Sequence, residues 1–272
     1  MKQIKISALV LAAASIASTG AMAQSSKANA WEGAYGQVGV GFGIFTPKIG
    51  SGTGVTPNTA TAPGVFGPYA GYPLTALGYP SSVSQGASAS NVNNVNTGIA
   101  NIAAGYNFGI NESYILGVGV TYYPGASSTA TGTLSLAPTT ISSTNSQFPT
   151  LPVGGASTGA TYNVKNLYSI VFTPGYVIDK DRLAYAKLGY TGTTIGLSGP
   201  TLAYTSVNLS GYTLGLGYKQ MVSESLYAFG EVNYGSYGNQ SLSPTLTNGT
   251  ALSGMTVSGN GLDFLVGIGY RF

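Results

Sequence analysis

Eight stretches of this chain alternate bulky apolar residues with small or polar ones at a period of two. They are residues 35–45, 97–108, 114–123, 162–178, 183–191, 208–221, 226–237 and 257–272. A period of two gives a strand with two different faces. In all eight, the bulky apolar positions are even-numbered, as in Phe42, Ile102, Leu116, Phe172, Leu188, Leu214, Val232 and Val266. The odd positions hold glycine (Gly39, Gly41, Gly117, Gly119, Gly215, Gly217, Gly267) and every charge within the strands: Lys165, Lys187, Lys219, Glu231, Asp263 and Arg271. The segment VGVGFGIF, residues 38–45, shows the pattern most plainly. Glycine weakens an ordinary strand, so its regular use there needs a reason.

Composition supplies the surroundings. Only 6% of the 272 residues are charged, against about a quarter in an ordinary globular chain. No apolar run after the first residues approaches the length of a membrane helix. Residues 1–23 read as a secretory leader: Lys2 and Lys5, an apolar run from Ile6 to Ala17, then Ala21-Met22-Ala23 before Gln24. Residues 24–272 are then expected to form one domain. An exported chain without a helical span, poor in charge and rich in alternating strands, is predicted to be a transmembrane β-barrel.

Connection lengths agree. GINES, DKDR and VSES are short, whereas 46–96, 124–161, 192–207 and 238–256 are long. A soluble sandwich has no reason to sort its loops this way. The expected fold is all-β, an eight-stranded antiparallel barrel with long extracellular loops and periplasmic termini. Lipid accepts Arg or Lys at the midplane only at about 2–4 kcal/mol, so the odd face is the interior. The interior of an eight-stranded barrel is only wide enough for side chains to fill. Glycine on one wall makes room for Tyr185, Lys187, Tyr227 or Phe229 on another. A phosphate-binding loop is the competing reading of GVGFG, but no helix or Lys-Ser/Thr partner follows it. Even-face aromatics cluster toward both strand ends, as interfacial girdles do: Tyr106, Phe108, Tyr114, Tyr176, Tyr218, Tyr270 and Phe272 on one side, Tyr122, Tyr190, Tyr212 and Tyr234 on the other.

The chain ends in LDFLVGIGYRF, with Phe264, Val266, Ile268, Tyr270 and Phe272 on one face. This resembles the C-terminal assembly signal of bacterial outer-membrane proteins. YSIVFTPGYVIDKDRLAYAKLGY (168–190) and WEGAYGQVGVGFG (31–43) resemble strands of the small eight-stranded outer-membrane family that includes OmpX, the OmpA barrel and opacity-type surface antigens. That resemblance implies the outer membrane of a Gram-negative bacterium. It also implies contact with outer-membrane lipid and lipopolysaccharide, and with the barrel-assembly machinery during biogenesis.

Little chemistry is available. The chain has no His and no Cys, which removes the active-site histidine of the known enzymatic outer-membrane barrels, thiolate metal sites and disulfides. Net charge is +3 and falls to about +1 without Lys2 and Lys5, too little to draw nucleic acid. Of the seven carboxylates, Glu231 and Asp263 are predicted to lie in the lumen, where a catalytic pair competes with simple ion pairing to Lys165, Lys187, Lys219 or Arg271. Pairing is the stronger expectation, because an unpaired interior charge is costly. No cofactor and no metal is expected. Tyr69, Tyr72 and Tyr79, in VFGPYAGYPLTALGYP, are candidate loop contacts for a host or phage surface, unless they pack over the barrel mouth. The expected function is a non-enzymatic surface barrel, a porin-like surface antigen whose loops mediate adhesion or recognition. The alternative is a narrow channel for small or hydrophobic solutes, like OmpW-type barrels.

Overall fold

A computed structural model describes residues 28–124 and 129–272; the predicted leader, 1–23, lies outside them. The described strands are β1 (Gly33–Ile49), β2 (Gly52–Pro57), β3 (Ser82–Ser90), β4 (Val95–Gly109), β5 (Tyr114–Tyr122), β6 (Thr129–Leu136), β7 (Thr139–Ile141), β8 (Leu151–Val153), β9 (Ala156–Asp179), β10 (Arg182–Gly199), β11 (Leu202–Met221), β12 (Leu226–Leu242), β13 (Ala251–Ser253) and β14 (Met255–Arg271). Eight of them close a ring, β1-β4-β5-β9-β10-β11-β12-β14, and β14 returns to β1. Every pairing is antiparallel, and the seam between first and last strands runs from Tyr35 opposite Arg271 to Ile49 opposite Val257. Closure leaves the ring no free edge, so strand pairing satisfies the backbone within lipid.

In the lower part of the ring the even face points outward. Val40, Phe172, Leu216, Val266 and Ile268 are exposed, while Tyr35, Gln37, Leu183, Tyr227 and Leu265 are buried. Aromatic pairs bound this apolar belt. Tyr106–Phe108, Tyr114–Tyr176 and Tyr270–Phe272 mark its lower edge, with ring centroids 4.8, 5.5 and 5.1 Å apart, and Tyr168–Tyr190 its upper edge. From Tyr114 to Tyr122 the chain rises about 27 Å along β5, or roughly 20 Å along the barrel axis at a ~40° tilt. With the rings added, that matches the apolar band of a transmembrane barrel.

Above the upper tyrosines the polarity of the two faces reverses, and on β10 and β14 it does so with no change of parity. On β10, Leu188 points outward to lipid, whereas Ile195 and Leu197 are buried inside. On β14, Phe264 is outside and Val257 and Met255 are inside. The physical reason is the change of solvent. Within the membrane apolar residues face out; beyond it they face in and Ser, Thr and Asn face water.

This reversal corrects the expected long loops. Residues 192–207 are not a loop: β10 and β11 continue as a hairpin to a tight turn at Pro200–Thr201. The other long connections also form structure. β2, β3 and β6 pair with one another and with the upper half of β9, in the order β9-β6-β3-β2-β13. This crown has its own apolar core, which includes Phe45, Ala87, Leu134, Leu136, Tyr162, Ile195, Leu252 and Met255. A smaller cluster beneath residues 62–83 gathers Phe66, Leu74, Leu77, Tyr79 and Ile141.

Two strands break parity: β12, whose pairing to β14 shifts between Tyr237 and Gln240 so that both Tyr237 and Leu242 are buried, and β9. Asn166 in β9 has φ 53°, and pairing to β10 shifts there, from Gly192 opposite Tyr168 to Thr194 opposite Lys165. Asparagine tolerates this left-handed conformation better than most residues. The bulge turns Val164 and Tyr162 inward and moves Lys165 to the outer face. Lys165 is therefore not an interior residue, contrary to its odd number.

Candidate functional site

The lumen is the place where the sequence concentrates chemistry, and it is filled. At its centre Glu231, 5% exposed, accepts four side-chain hydrogen bonds. Lys187 Nζ donates at 2.7 Å to Oε2 and Tyr185 OH at 2.5 Å to Oε1. Gln37 Nε2 donates to Oε1 at 3.2 Å and Asn233 Nδ2 to Oε2 at 3.3 Å. Tyr227 OH extends the network by donating to Gln37 Oε1 at 3.1 Å. Asn233 also donates to Asp263 Oδ1 at 2.8 Å. These groups come from β1, β10, β12 and β14 and meet because each sits at an odd position of the ring. A buried carboxylate surrounded by one ammonium and three neutral donors is satisfied as an ion and has no lone pair left facing an open space.

Lys219, on β11, is held differently. Its ammonium lies 4.2, 5.1 and 4.8 Å from the ring centroids of Tyr35, Tyr185 and Tyr227. Among the described residues no carboxylate comes within 4 Å of it. Three aromatic faces supply the negative potential instead.

The glycines make this packing possible. A methyl at Gly217 would fall on the Tyr185 ring, at Gly269 on the Tyr227 ring, and at Gly39 or Gly267 on the Phe229 ring. Below, Trp31 closes the lower end, 1% exposed and edge-on to Tyr227 at 5.8 Å. Its carbonyl accepts from Asn107 Nδ2 at 3.0 Å. Above the polar centre lies a cavity of about 70 Å³ bounded by Tyr123, Thr191, Tyr237 and Asp263. Phe45, Val95, Val164 and Tyr237 of the crown core form part of its wall. A wider cavity of about 210 Å³ lies in the crown, between Leu134, Leu136, Thr201 and Leu252.

The structure distributes the six predicted interior charges unevenly. Lys187 and Glu231 form an ion pair, and Lys219 sits in its tyrosine cage. Asp263 is bound by Asn233, and among the described residues no lysine or arginine lies within 4 Å of it. Arg271 is at the lower rim, donating to the Glu224 carbonyl at 2.8 Å, and among the described residues it has no carboxylate within 4 Å. Lys165 is outside, as described above. Sequence reading missed Gln37, Tyr35, Trp31 and Asn233. Their odd numbers, except in the unread case of Trp31 before the first strand, were the available signal. Among the described residues, no group of His, Cys, Asp and Glu could hold a metal ion.

The other two candidate sets also have places. Phe264, Val266, Ile268 and Tyr270 of β14, with Phe272 just beyond it, form one exposed apolar stripe. Tyr69 and Tyr72 are exposed and meet edge-on at 6.2 Å. Tyr79 is not a surface contact: it is 3% exposed, packs on Phe66 and donates to the Pro149 carbonyl. Burial raises its phenol above the ordinary tyrosine value.

The chain is similar to several solved outer-membrane proteins. OprG from Pseudomonas aeruginosa shares 13% identity over 91% of this chain and 99% of its own, with a TM-score of 0.49. Ail, the attachment invasion locus protein of Yersinia pestis, shares 14% over 89% of this chain and 99% of its own, with a TM-score of 0.36. The toluene transporter TodX of P. putida shares 9% over 88% and 90%, at 0.22. No family model and no curated protein matches. At such identities and scores the fold rests on the chain's own register and faces.

Proposed function

We propose that this chain is a non-enzymatic surface barrel of the outer membrane of a Gram-negative bacterium, and that its crown mediates adhesion or recognition. The observation that carries this reading is the filled lumen. Trp31, the Tyr227–Gln37–Glu231–Lys187 cluster and the crown core follow one another along the barrel axis. A solute crossing the barrel would have to displace a buried ion pair, and removing one partner of such a pair costs about 3–5 kcal/mol. Of the carboxylates that could do acid–base work, Glu231 is surrounded by protein donors, and Asp263, held by Asn233, borders only the small cavity of about 70 Å³.

The exterior fits the proposed setting. Lys48 and Lys165 are on the outer face above the tyrosine girdle, where lipopolysaccharide phosphates would meet them. The apolar stripe of β14 is available to assembly machinery before the ring closes.

Planar-bilayer recording of the refolded chain tests the reading. The expected result is a silent bilayer, together with no uptake of small apolar solutes into liposomes carrying the protein. Steady conductance steps or solute entry would replace this reading with the narrow channel.

A further inference from the structure

A cavity of about 210 Å³ lies in the upper mouth of the crown. One wall is β3, β6 and the upper end of β9, where Ala87, Leu136 and Ala156 form one row across the sheet. The opposite wall is β13 with residues 246–248. This segment is tied to the β10–β11 turn by a bridge between Leu202 and Leu246 and by a hydrogen bond from Thr247 N to the Thr201 carbonyl at 2.9 Å. Leu134, Leu136 and Leu252 are buried and give the cavity its apolar lining. Thr201 and Asn248 are exposed at its rim. Thr201 Oγ1 donates to Thr158 Oγ1 at 2.7 Å, and Asn248 Oδ1 accepts from the Thr250 amide at 3.0 Å. Among the described residues that line it, none is charged. Below Thr158 the inward residues of β9 are Ala160, Tyr162 and Val164, all in the crown core, so the cavity ends blind on packed side chains.

The lumen treats its small residues differently. There Gly217 and Gly269 each receive a tyrosine ring. In the mouth the space beside Ala87 and Ala156 stays a cavity, although packed interiors hold few voids wider than a water. Water inside it faces leucine on several sides, and an apolar group that displaces such water gains affinity. We propose that the mouth of the crown binds one small uncharged molecule, with an apolar body about the size of a substituted benzene ring and one hydrogen-bonding group. Volume sets the size: an apolar cavity of about 150 Å³ takes benzene, and this one has room for substituents. The leucines exclude a charged ligand, which would lose its hydration with no opposite charge to meet. The rim sets the polar end. Thr201 Oγ1 keeps lone pairs to accept with, and Asn248 Nδ2 is the end of that amide left to donate. The site adds a ligand-binding function to the surface role and does not depend on what the crown adheres to.

The test is equilibrium dialysis of the whole refolded protein in detergent micelles, with empty micelles as the reference for partition. The probes are 4-ethylphenol, ethylbenzene and, as the charged analogue, 4-ethylbenzoate at neutral pH. The expected result is saturable binding of 4-ethylphenol at a single site, weaker binding of ethylbenzene and none of 4-ethylbenzoate. Ala87→Leu and Ala156→Phe fill the cavity from different strands and should each abolish binding while remaining heat-modifiable barrels. Thr158→Val/Thr201→Val removes both hydroxyls together, so neither is orphaned. It should weaken 4-ethylphenol about three- to tenfold and leave ethylbenzene unchanged. Absence of saturable 4-ethylphenol binding overturns the proposal. So does 4-ethylbenzoate binding as tightly as 4-ethylphenol, or binding undiminished in both filled variants. If neither filled variant folds, an unchanged 4-ethylphenol affinity in the threonine pair overturns it.

Discussion

Replacing Glu231 by glutamine is expected to lower the unfolding free energy of the refolded barrel by about 3–5 kcal/mol. The side chain keeps its shape but loses its charge, and Lys187 is left as a buried cation. Lys187 Nζ has its 2.7 Å contact with Glu231 and, among the described residues, no other carboxylate within 4 Å. Lys187→Met should cost less, because Glu231 then still accepts from Tyr185, Gln37 and Asn233. The double variant Glu231→Gln/Lys187→Met should recover much of the loss, since an uncharged buried pair needs no desolvation of ions. Urea titration in lipid vesicles, followed by tryptophan fluorescence, measures all three. Trp31 reports directly, because it packs on Tyr227, which donates to Gln37 in the same network. Equal stability of Glu231→Gln and the parent would mean that the lumen is wetter than its side-chain packing implies.

The same cluster shows what the sequence made legible. Within the membrane, one number decides where a side chain points, because the period is two and the ring has no edge. Odd parity therefore located Lys187, Lys219, Glu231 and Asp263 before any contact was known. It could not say which cation meets which acid, because that depends on barrel shear and on side-chain length across the lumen. Lys219 illustrates this: its even-handed choice would have been a carboxylate, yet three tyrosine rings surround it. Parity failed at Lys165, where one left-handed residue, Asn166, inserts a bulge that alternation alone does not reveal. The crown was illegible for another reason. Its strands bury apolar residues on the face opposite to the one that is apolar in lipid, as Leu188 and Ile195 do on β10. A search for one continuous apolar parity therefore stops at the tyrosine girdle and assigns the remainder to loops.

Faces assigned by parity and burial make a second prediction of large effect. Leu216 is 70% exposed and lies on β11 within the apolar belt between Tyr212 and Tyr218. Leu216→Arg should destabilise the barrel in vesicles by about 2–4 kcal/mol, the cost of arginine at the midplane. Thr194→Arg, on an outward position of β10 above the girdle, should be nearly neutral, because there the outer face meets water. Gly217→Val, one residue from Leu216 but on the inner face, should lose about 1–3 kcal/mol by overpacking against the Tyr185 ring. The two losses differ in kind. Leu216→Arg should recover in detergent micelles, where the head can reach water, whereas Gly217→Val should be equally destabilised in micelles and vesicles. Measured side by side in both media, the three variants separate lipid contact, water contact and lumen packing. If Leu216→Arg matched the parent in vesicles, the even face of β11 would not be the one that touches lipid, and the assignment of faces would fall for every strand in register with it.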